Sequence, residues 1–266
     1  MTIEELHNHL FDVLCIIDDI CKKERIRYYL DSGTELGAVR ENNFIPWDDD
    51  MDIKVLSEDY NSFKNAMTNN LPDYMEFVEP EDIGTAFYDF VVRIIDKRYF
   101  IRESTKEDSF YGNYINHVGT DVFILSKTSL NSLGRKRDVF LSKLYYGFAM
   151  GHRYCIDYAE YSFVQKLQVY ILAHLGRMIP LKKIIKWMKQ LTFKYDSDRT
   201  YYRLPINYPL KDLKFFPDDL FLETACFPIR GRSFPVPCGY DEELTLLYGN
   251  YLIPEKDSHK YKTHLQ

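Results

Sequence analysis

Residues 30–40 read LDSGTELGAVR and residues 44–56 read FIPWDDDMDIKVL, and these two stretches determine most of the fold. The short aromatic segment before Ser32 predicts a strand, and Ser32 and Glu35 have the S-x-x-E spacing of a helix capping box. The second stretch leads from four aspartates into an apolar strand at residues 53–56. A strand that runs into a helix N-terminus presents free amide groups, which bind phosphate in many folds.

The aspartates of the second stretch have the spacing of metal ligands. Side chains alternate along an extended chain, so Asp50 and Asp52 point to one side and can share a hard cation, whereas Asp49 points away. Asp121, an acidic residue within the apolar segment 120–125, is the natural third ligand. Two interpretations without a metal stay open, namely a solvated turn for the acidic run and a turn-capping role for Asp121.

An EF-hand calcium loop is the main competing interpretation, because Asp48, Asp50 and Asp52 match its first three ligand positions. It fails at two other positions. Ile53 stands where that loop requires glycine, and Asp59 stands where it requires a bidentate glutamate. The segment also continues as an apolar strand, so we reject the calcium loop.

Hydrophobic periodicity predicts helices and strands in alternation up to about residue 125 and mainly helices after it. The predicted elements are helices at 3–23 and 57–70, strands at 53–56, 87–96 and 120–125, a helical region at 131–195 and a last helix at 240–251. We therefore expect an α+β fold, an α/β layer whose sheet has flanking helices. We divide the chain into a catalytic core at 1–126, a basic helical segment at 127–204 and a loop-rich part at 205–266 that packs back on the core.

The composition excludes several classes of protein. The 266 residues are 45% hydrophobic and 28% charged, which excludes a disordered, collagen-like or linker-rich chain. Five cysteines without a C-x-x-C pair predict neither a disulfide framework nor a zinc site and favour a reducing compartment. We find no signal peptide and no membrane-spanning stretch, so we expect a cytoplasmic protein.

Charge is divided unevenly along the chain. Residues 1–126 contain 26 acidic and 12 basic residues, whereas residues 127–266 contain 14 and 22. This division suggests metal ligands in the first part and an anionic partner for the second, although solvated surface charge remains an alternative. Residues 161–195 carry seven basic and no acidic residues, which predicts either a basic amphipathic helix on an anionic membrane or a packed helix pair with a basic solvent side. No nucleic-acid-binding signature accompanies them, so we expect no nucleic acid partner.

Taken as one unit, residues 30–40 and 44–53 resemble the signature of the LicD family, which comprises phosphocholine transferases and related enzymes. The similarity continues at residues 93–98 and 119–123, and in the C-terminal part at residues 236–237, 240–241 and 247–251. The resemblance implies a nucleotidyltransferase-like mixed sheet. Glu35 and Met51 depart from the family pattern, which usually has an aliphatic residue and an isoleucine at these positions.

The resemblance also implies roles for individual residues. Asp50, Asp52 and Asp121 would be the catalytic acids and would hold Mg²⁺ or Mn²⁺, with Asp48 as an additional ligand. The donor phosphates would be bound by the start of the helix and by cationic side chains, namely Ser32, Gly33, Thr34, Arg40, Arg93 and Lys97.

The reaction implied is metal-dependent transfer of phosphocholine, or a similar phospho-alcohol, from CDP-choline or a related CDP-alcohol. The acceptor would be a hydroxyl group of a cell-surface glycan, such as lipopolysaccharide, teichoic acid or capsule, or of its lipid-linked precursor. Two alternatives stay open, a nucleotidyltransferase that moves the nucleotide itself to a small molecule or sugar phosphate, and a catalytically silent glycan- or membrane-binding module. We expect the protein to contact the inner face of the cell membrane peripherally.

Overall fold

The computed structural model describes residues 1–159, 161–209 and 213–254. The helices are α1 Ile3–Glu24, α2 Ser32–Glu41, α3 Tyr60–Asn70, α4 Lys106–Phe110, α5 Ser132–Ala149, α6 Phe163–Gly176, α7 Leu181–Thr192 and α8 Tyr240–Tyr248. The strands are β1 Tyr29–Leu30, β2 Asp52–Leu56, β3 Met75–Val78, β4 Val92–Phe100, β5 His117–Lys127, β6 Tyr202–Leu204, β7 Phe216–Pro217, β8 Thr224–Ile229 and β9 Arg232–Pro237.

The main sheet is mixed and has the strand order β1-β2-β5-β4-β3, while β6 pairs with β5 and β7 pairs with β6. Strands β2 and β5 run parallel, and the other neighbours are antiparallel. The predicted α+β class, with a mixed sheet and flanking helices, is confirmed. The parallel pair lies inside the sheet and brings together two segments that are far apart in sequence.

Helix α1 covers one face of this sheet. Thr2 and Glu5 form its capping box, and its apolar stripe, which includes Leu6 and Leu10, packs in the same core as the strands. Side chains of the central strand β5 alternate between the two faces of the sheet. Val122 is buried in that core, and Asp121 lines a cavity. One face of the sheet therefore provides the core, and the other provides the floor of the cavity.

The predicted helical region at 131–195 is confirmed as α5, α6 and α7. Helix α7 is strongly amphipathic, since Leu181, Ile184 and Met188 are buried against residues of α5 and the segment before β4, while Lys182 and Lys186 are exposed. Helix α7 therefore has the packed arrangement with a basic solvent side that was one of the two expectations for this region.

Two strand predictions were incomplete. The strand predicted at 87–96 begins only at Val92, and the residues before it line the cavity instead. The region at 205–237, predicted to be rich in loops, contains the hairpin β8–β9, whose strands include three prolines. Arg230 and Gly231 both have positive φ, as a tight hairpin turn requires, and Phe234 is buried in the main core.

The proposed division into three segments stays a prediction. Strand β6, from the second segment, pairs with the end of β5 at Ser126 and Lys127, and the hairpin of the third segment packs into the core of the first. Residues 210–212 and 255–266 of the third segment lie outside the described residues. Within the described ranges, none of the helices has the length and apolar character needed to cross a membrane.

Candidate active site

Three neighbouring strands carry charged side chains on the cavity side of the sheet. We call the aspartates among them, together with two from the loop before β2, the acidic edge. Asp52 on β2 and Asp121 on β5 are register partners across the parallel pair, and Arg93 on β4 is the register partner of Asp121. Residues opposite one another in adjacent strands share a face, so these three side chains lie in one row. Arg93 Nε donates a hydrogen bond of 2.7 Å to Asp121 Oδ1, and its Nη1 donates one of 2.9 Å to the Tyr114 carbonyl.

The loop before β2 adds two further carboxylates to this edge. Asp50 is exposed and lines the cavity, and Asp48 lies beside it. Burial, together with the carboxylate of Asp50, raises the pKa of Asp48 to about 8. Burial, followed by the charges of Asp50 and Asp121, raises the pKa of Asp52 well above its usual value. The acids therefore repel one another when ionised, which is the situation that a divalent cation relieves.

The start of α2 supports the acidic edge from behind. Thr34 Oγ1 accepts a hydrogen bond of 2.9 Å from the Asp52 amide, and Asp31 donates its amide to the Asp52 carbonyl at 3.0 Å. A Cβ atom at Gly33 would collide with the carboxylate of Asp48, so the glycine lets Asp48 lie close to the start of α2. Ser32, which lines the cavity, has φ of 47°, an uncommon conformation for a residue other than glycine.

The predicted capping box of α2 was wrong. The N-cap residue is Asp31, whose side chain makes no capping hydrogen bond, and Ser32 is the first residue of the helix. Glu35 does not reach back to the helix start, because its carboxylate is completely buried and binds Lys54 at 2.6 Å. Glu35, which the local sequence pattern assigned to the helix cap, thus forms a buried ion pair with Lys54 instead.

A cavity of about 550 Å³ opens in front of the acidic edge. Four of the aspartates that line it form what we call the acidic end: Asp31, Asp50, Asp52 and Asp121. Much of the remaining lining is aromatic, and we call it the aromatic end. The aromatic and apolar lining includes Tyr88, Val91, Tyr114, Phe123, Tyr146, Tyr208, Leu213 and Phe216. The cavity thus combines a place for cations and phosphates with a place for an organic group.

Residues 25–125 match the family described as LicD/FKTN/FKRP, nucleotidyltransferase domain. The chain is 26% identical to the lipopolysaccharide cholinephosphotransferase LicD of Haemophilus influenzae, over 97% of this chain and 94% of that protein. Residues 25–125 therefore resemble a LicD-family domain, and the chain as a whole is similar to one LicD protein. It is also similar to two uncharacterized proteins of Rickettsia, RT0683 of R. typhi at 38% identity and RP689 of R. prowazekii at 42%. Those two similarities cover 22% and 19% of this chain and 19% of each relative.

The residues matched to the LicD domain include the whole acidic edge, but they do not include all of the cavity. Tyr146, Arg153 and Tyr208 line it from outside residues 25–125. Arg153 Nη2 donates hydrogen bonds to the Tyr146 hydroxyl at 2.7 Å and to the Tyr88 carbonyl at 2.8 Å. The Tyr146 hydroxyl donates in turn to Asp89 at 3.0 Å. Side-chain hydrogen bonds therefore join the LicD domain to the helix that follows it.

Asp89 is the acidic member of this aromatic end. Burial raises the pKa of its carboxyl group to about 7, against the opposing charge of Arg153, whose Nη2 is 3.9 Å away. Asp89 is thus close to half ionised at neutral pH, with Tyr146 as its hydrogen-bond donor. No sequence pattern pointed to this group, since Asp89 lies in what was predicted to be a strand.

A second groove, of about 660 Å³, lies on the other side of the acidic edge. It shares Ser32, Asp50 and Asp52 with the cavity, and it also contains Gly33, Arg40, Trp47, Asp48, Tyr248 and Tyr251. Arg40 donates to the Tyr251 carbonyl at 3.0 Å and to Glu41 at 2.6 Å. The acidic edge is therefore accessible from two sides.

The three predicted cationic contacts lie in different places. Arg93 lines the cavity and Arg40 lines the second groove, whereas Lys97 lines neither. Lys97 is exposed near the outer end of β4 and its Nζ is 3.5 Å from Glu76. Thr34 is buried against the backbone of Asp52, so its hydroxyl group supports the acid and does not face the cavity lining.

A charged cluster that no local sequence pattern indicated lies next to the acidic edge. Lys54, two positions after Asp52 on the same face of β2, is completely buried, and its Nζ is 2.6 Å from Glu35, 2.6 Å from Glu243 and 3.2 Å from Asp31. The three carboxylates are close enough together to hold a cation, and the Lys54 ammonium takes that place. Because Glu243 belongs to α8, this cluster attaches the C-terminal helix to the back of the site.

Electrostatics within this cluster explain why it is stable as a unit. Burial lowers the pKa of Lys54, but the charges of Glu243, Glu35 and Asp31 outweigh it and hold the pKa well above its usual value. Burial raises the pKa of both Glu35 and Glu243. One lysine among three carboxylates cannot balance them all, and Glu35 Oε1 and Glu243 Oε2 have no hydrogen-bond partner among the described residues.

Proposed function

We propose that this chain transfers phosphocholine from CDP-choline to a hydroxyl group of a cell-surface glycan or of its lipid-linked precursor. The observation that carries the proposal is the cavity in which the register partners Asp52 and Asp121, with Arg93 beside them, face an aromatic end. The Haemophilus relative, aligned over nearly the whole chain, is named as a lipopolysaccharide cholinephosphotransferase, which supports the same chemistry here.

The acidic edge suits Mg²⁺ or Mn²⁺, which prefer carboxylate oxygens. Asp50, Asp52 and Asp121 line one cavity, and Asp48 lies beside them. The raised pKa of Asp52 reflects its burial and, after that, the negative charge of the neighbouring carboxylates, which a cation would neutralise. When bound, the metal would supply positive charge to the donor pyrophosphate and its leaving group.

The protein's own groups would do the remaining work. Arg93 orients Asp121 through the 2.7 Å hydrogen bond and presents a guanidinium group to the donor phosphates. The amide groups at the start of α2, at Ser32 and Gly33, provide further donors for phosphate oxygens. The acceptor oxygen attacks the phosphorus that carries choline, the bond from that phosphorus to CMP breaks, and Asp121 takes the acceptor proton.

The aromatic end suits the choline head group. A quaternary ammonium is bound best by aromatic rings with a carboxylate nearby. Tyr88, Tyr146 and Tyr208 line this end, and Asp89 lies among them. Arg153 holds the Tyr146 hydroxyl, so the aromatic wall is fixed before the donor arrives.

A nucleotidyltransferase reaction is the second candidate, because the matched domain carries that name and the same acids serve attack at either phosphorus of a pyrophosphate. The two reactions differ in their products. Phosphocholine transfer from CDP-choline releases CMP, whereas transfer of the nucleotide from a nucleoside triphosphate releases pyrophosphate. A binding module without catalysis would release neither product.

The test is to incubate the purified protein with Mg²⁺ and, in separate reactions, CDP-choline, CDP-ethanolamine, CDP-glycerol or CTP with phosphocholine. We expect CMP release, fastest from CDP-choline and increased by a crude glycan acceptor. Asp52→Asn should abolish it, and Asp73→Asn, an exposed aspartate far from the cavity lining, should not. Pyrophosphate release with CTP would favour the nucleotidyltransferase, and no product with any donor would contradict both reactions.

A further inference from the structure

Helix α6 leaves most of its apolar side chains in solvent. Among its 14 residues only Ala173 and Gly176 are buried, while Phe163 is 83% exposed and Leu167 is 53% exposed. Phe163, Leu167, Tyr170, Ile171, Leu175 and, just after the helix, Met178 are all exposed, and we call them the α6 stripe. Their spacing of three and four residues puts them on one side of the helix. A contiguous apolar surface of this kind marks a contact with a partner or a membrane.

On the side of α6 opposite the stripe, small residues allow close packing against α5. A Cβ atom at Gly176 would collide with the backbone of Phe148 in α5, and one at Gly147 would collide with Leu172. His152, in the turn after α5, hydrogen-bonds the carbonyl of Gly176 at 3.1 Å. Because the buried side of α6 is this close contact, the helix cannot rotate its stripe inward without losing it.

Exposed basic residues lie on α6 and on the next helix, α7. Lys166 and Arg177 on or next to α6 are exposed, and so are three lysines of α7, namely Lys182, Lys183 and Lys186. The other two basic residues of this region are used internally, since Lys189 pairs with Glu79 and Glu81, and Lys194 pairs with Asp138. Residues 161–195 contain no acidic residue. Helices α6 and α7 therefore expose apolar and basic side chains and no carboxylate of their own, as do helices that lie on anionic membranes.

We propose that the α6 stripe docks on the surface of a bilayer that contains anionic lipid, with the exposed lysines and Arg177 at the level of the headgroups. At 14 residues α6 is shorter than the roughly 20 residues that a membrane span requires, so it lies in the plane of the interface. The basic residues supply attraction, and the apolar side chains supply binding that persists at high salt.

The position of α6 relative to the cavity gives this docking a consequence. Tyr146 of α5 lines the cavity, and the next residue, Gly147, contacts α6. Helices α5 and α6 would thus separate the cavity from the bilayer surface by about two helix diameters, ~20 Å. An acceptor carried by a membrane lipid would be concentrated at the surface on which the protein docks. The docking itself stands apart from the proposed reaction, and its test requires no substrate.

The experiment is co-sedimentation of the whole chain with vesicles of phosphatidylcholine alone and of phosphatidylcholine with phosphatidylglycerol. We expect binding to the anionic vesicles, reduced but not abolished at high salt. The variant L167Q/I171Q should lose at least about tenfold in affinity, which corresponds to about 1.4 kcal/mol. The matched control Y201Q/L222Q removes two exposed apolar side chains elsewhere and should bind as the wild type does. The variant K182Q/K183Q/K186Q should lose the preference for anionic vesicles.

A second measurement guards against misfolded variants. A tryptophan in the stripe, Leu167→Trp, should shift its fluorescence to shorter wavelength when anionic vesicles are added, and Leu222→Trp should not. Circular dichroism should be the same for all variants. The proposal is wrong if the wild type binds neither vesicle or if L167Q/I171Q binds as well as the control. It is also wrong if sedimentation velocity shows a dimer that L167Q/I171Q dissociates, because the stripe would then pair two copies of the chain.

Discussion

The two ends of the cavity are built in different ways. The acidic end stands on adjacent strands, where Asp52, Asp121 and Arg93 are register partners fixed by the backbone ladder. The aromatic end stands only partly on strands, and its helix and loop residues Tyr146 and Arg153 are held by side-chain hydrogen bonds. The first end lies within the residues matched to the LicD domain, and much of the second lies outside them.

This difference assigns different tasks to the two ends. Groups that must meet reacting atoms need fixed geometry, which a sheet provides, whereas groups that choose a substrate are often carried by loops on a rigid scaffold. We therefore expect substitutions at the acidic end to lower kcat and substitutions at the aromatic end to raise the KM for the donor. The following predictions test this division, beginning with the largest expected effect.

Asp50→Asn and Asp52→Asn should each lower kcat by about 10³-fold or more, because each removes a metal ligand charge where transition-state charge must be balanced. Neither should lower the free energy of unfolding, since relief of repulsion between neighbouring carboxylates offsets any lost contact. Steady-state CMP release and thermal unfolding are the measurements. Near wild-type turnover in both variants at saturating Mg²⁺ would contradict the assignment of Asp50 and Asp52 as metal ligands.

Asp121→Asn should lower kcat by about 10²- to 10³-fold and change donor affinity much less, because a proton acceptor acts in the transition state. Donor binding measured by calorimetry separates the two effects. Arg93→Gln serves as the comparison, since it leaves the acid in place but removes its 2.7 Å partner. A loss confined to donor affinity in Asp121→Asn would make Asp121 a ligand only.

Lys54→Met should destabilise the protein by about 3–5 kcal/mol, because it leaves Glu35 and Glu243 buried without their counter-charge. The triple variant K54M/E35L/E243L should recover most of that loss, since of the three carboxylates only Asp31, which lines the cavity, then remains without Lys54. Lys22→Met, which removes an exposed lysine paired with Asp18, should cost about 1 kcal/mol or less. Urea unfolding measures all three, and a Lys54→Met effect as small as that of Lys22→Met would contradict the role given to the cluster.

Tyr146→Leu should raise the KM for CDP-choline by about tenfold while kcat changes little, because it removes an aromatic ring and the hydrogen-bond donor to Asp89. Tyr145→Leu, on the same helix but outside the cavity lining, is the matched control. The KM for CDP-glycerol, whose head group carries no positive charge, should change less. Equal losses for both donors would show that Tyr146 shapes the cavity without recognising choline.

The pH dependence of donor binding should give the smallest effect. Asp89 has a raised pKa of about 7, so its carboxyl group is largely neutral below that pH and charged above it. A charged carboxylate attracts the quaternary ammonium, so the KM for CDP-choline should fall about threefold as the pH rises through 7. Asp89→Asn should remove this part of the pH profile. If the pH profile is unchanged in the variant, Asp89 does not contribute to choline binding.

Local patterns predicted the acidic edge well. Asp121 was predictable because a carboxylate within an apolar strand is unusual, and Asp50 and Asp52 were predictable from their spacing. The structure brings these acids to one cavity, although their catalytic role stays a prediction. Helix α1 was predictable for a similar reason, since one apolar stripe and a capped start define it locally.

Long-range pairing accounts for what the sequence did not reveal. Glu35 matched a capping box, but its partner is Lys54, and the second acid of that cluster, Glu243, is 189 positions further along the chain. Tyr146 was one of 22 tyrosines, and nothing local marked it as part of the cavity. The turn at Arg230 and Gly231 was a usable signal for the missed hairpin. For α6 and α7, similar compositions concealed opposite exposure, because periodicity does not show which side of a helix is covered.

The parallel pairing of β2 with β5 also has a consequence for how the protein folds. The hydrogen bond from Thr120 Oγ1 to the Met51 carbonyl joins residues 69 positions apart, whereas β4 and β5 pair as antiparallel neighbours in the sequence order of the sheet. Closing the longer loop costs more chain entropy, so the β4–β5 pair can form earlier than the β2–β5 pair. The acidic residues 48–52 are then separated from Asp121 until β2 docks, so the proposed metal site is assembled late during folding. A newly made chain would form the β4–β5 part of its sheet before it acquired its chemistry.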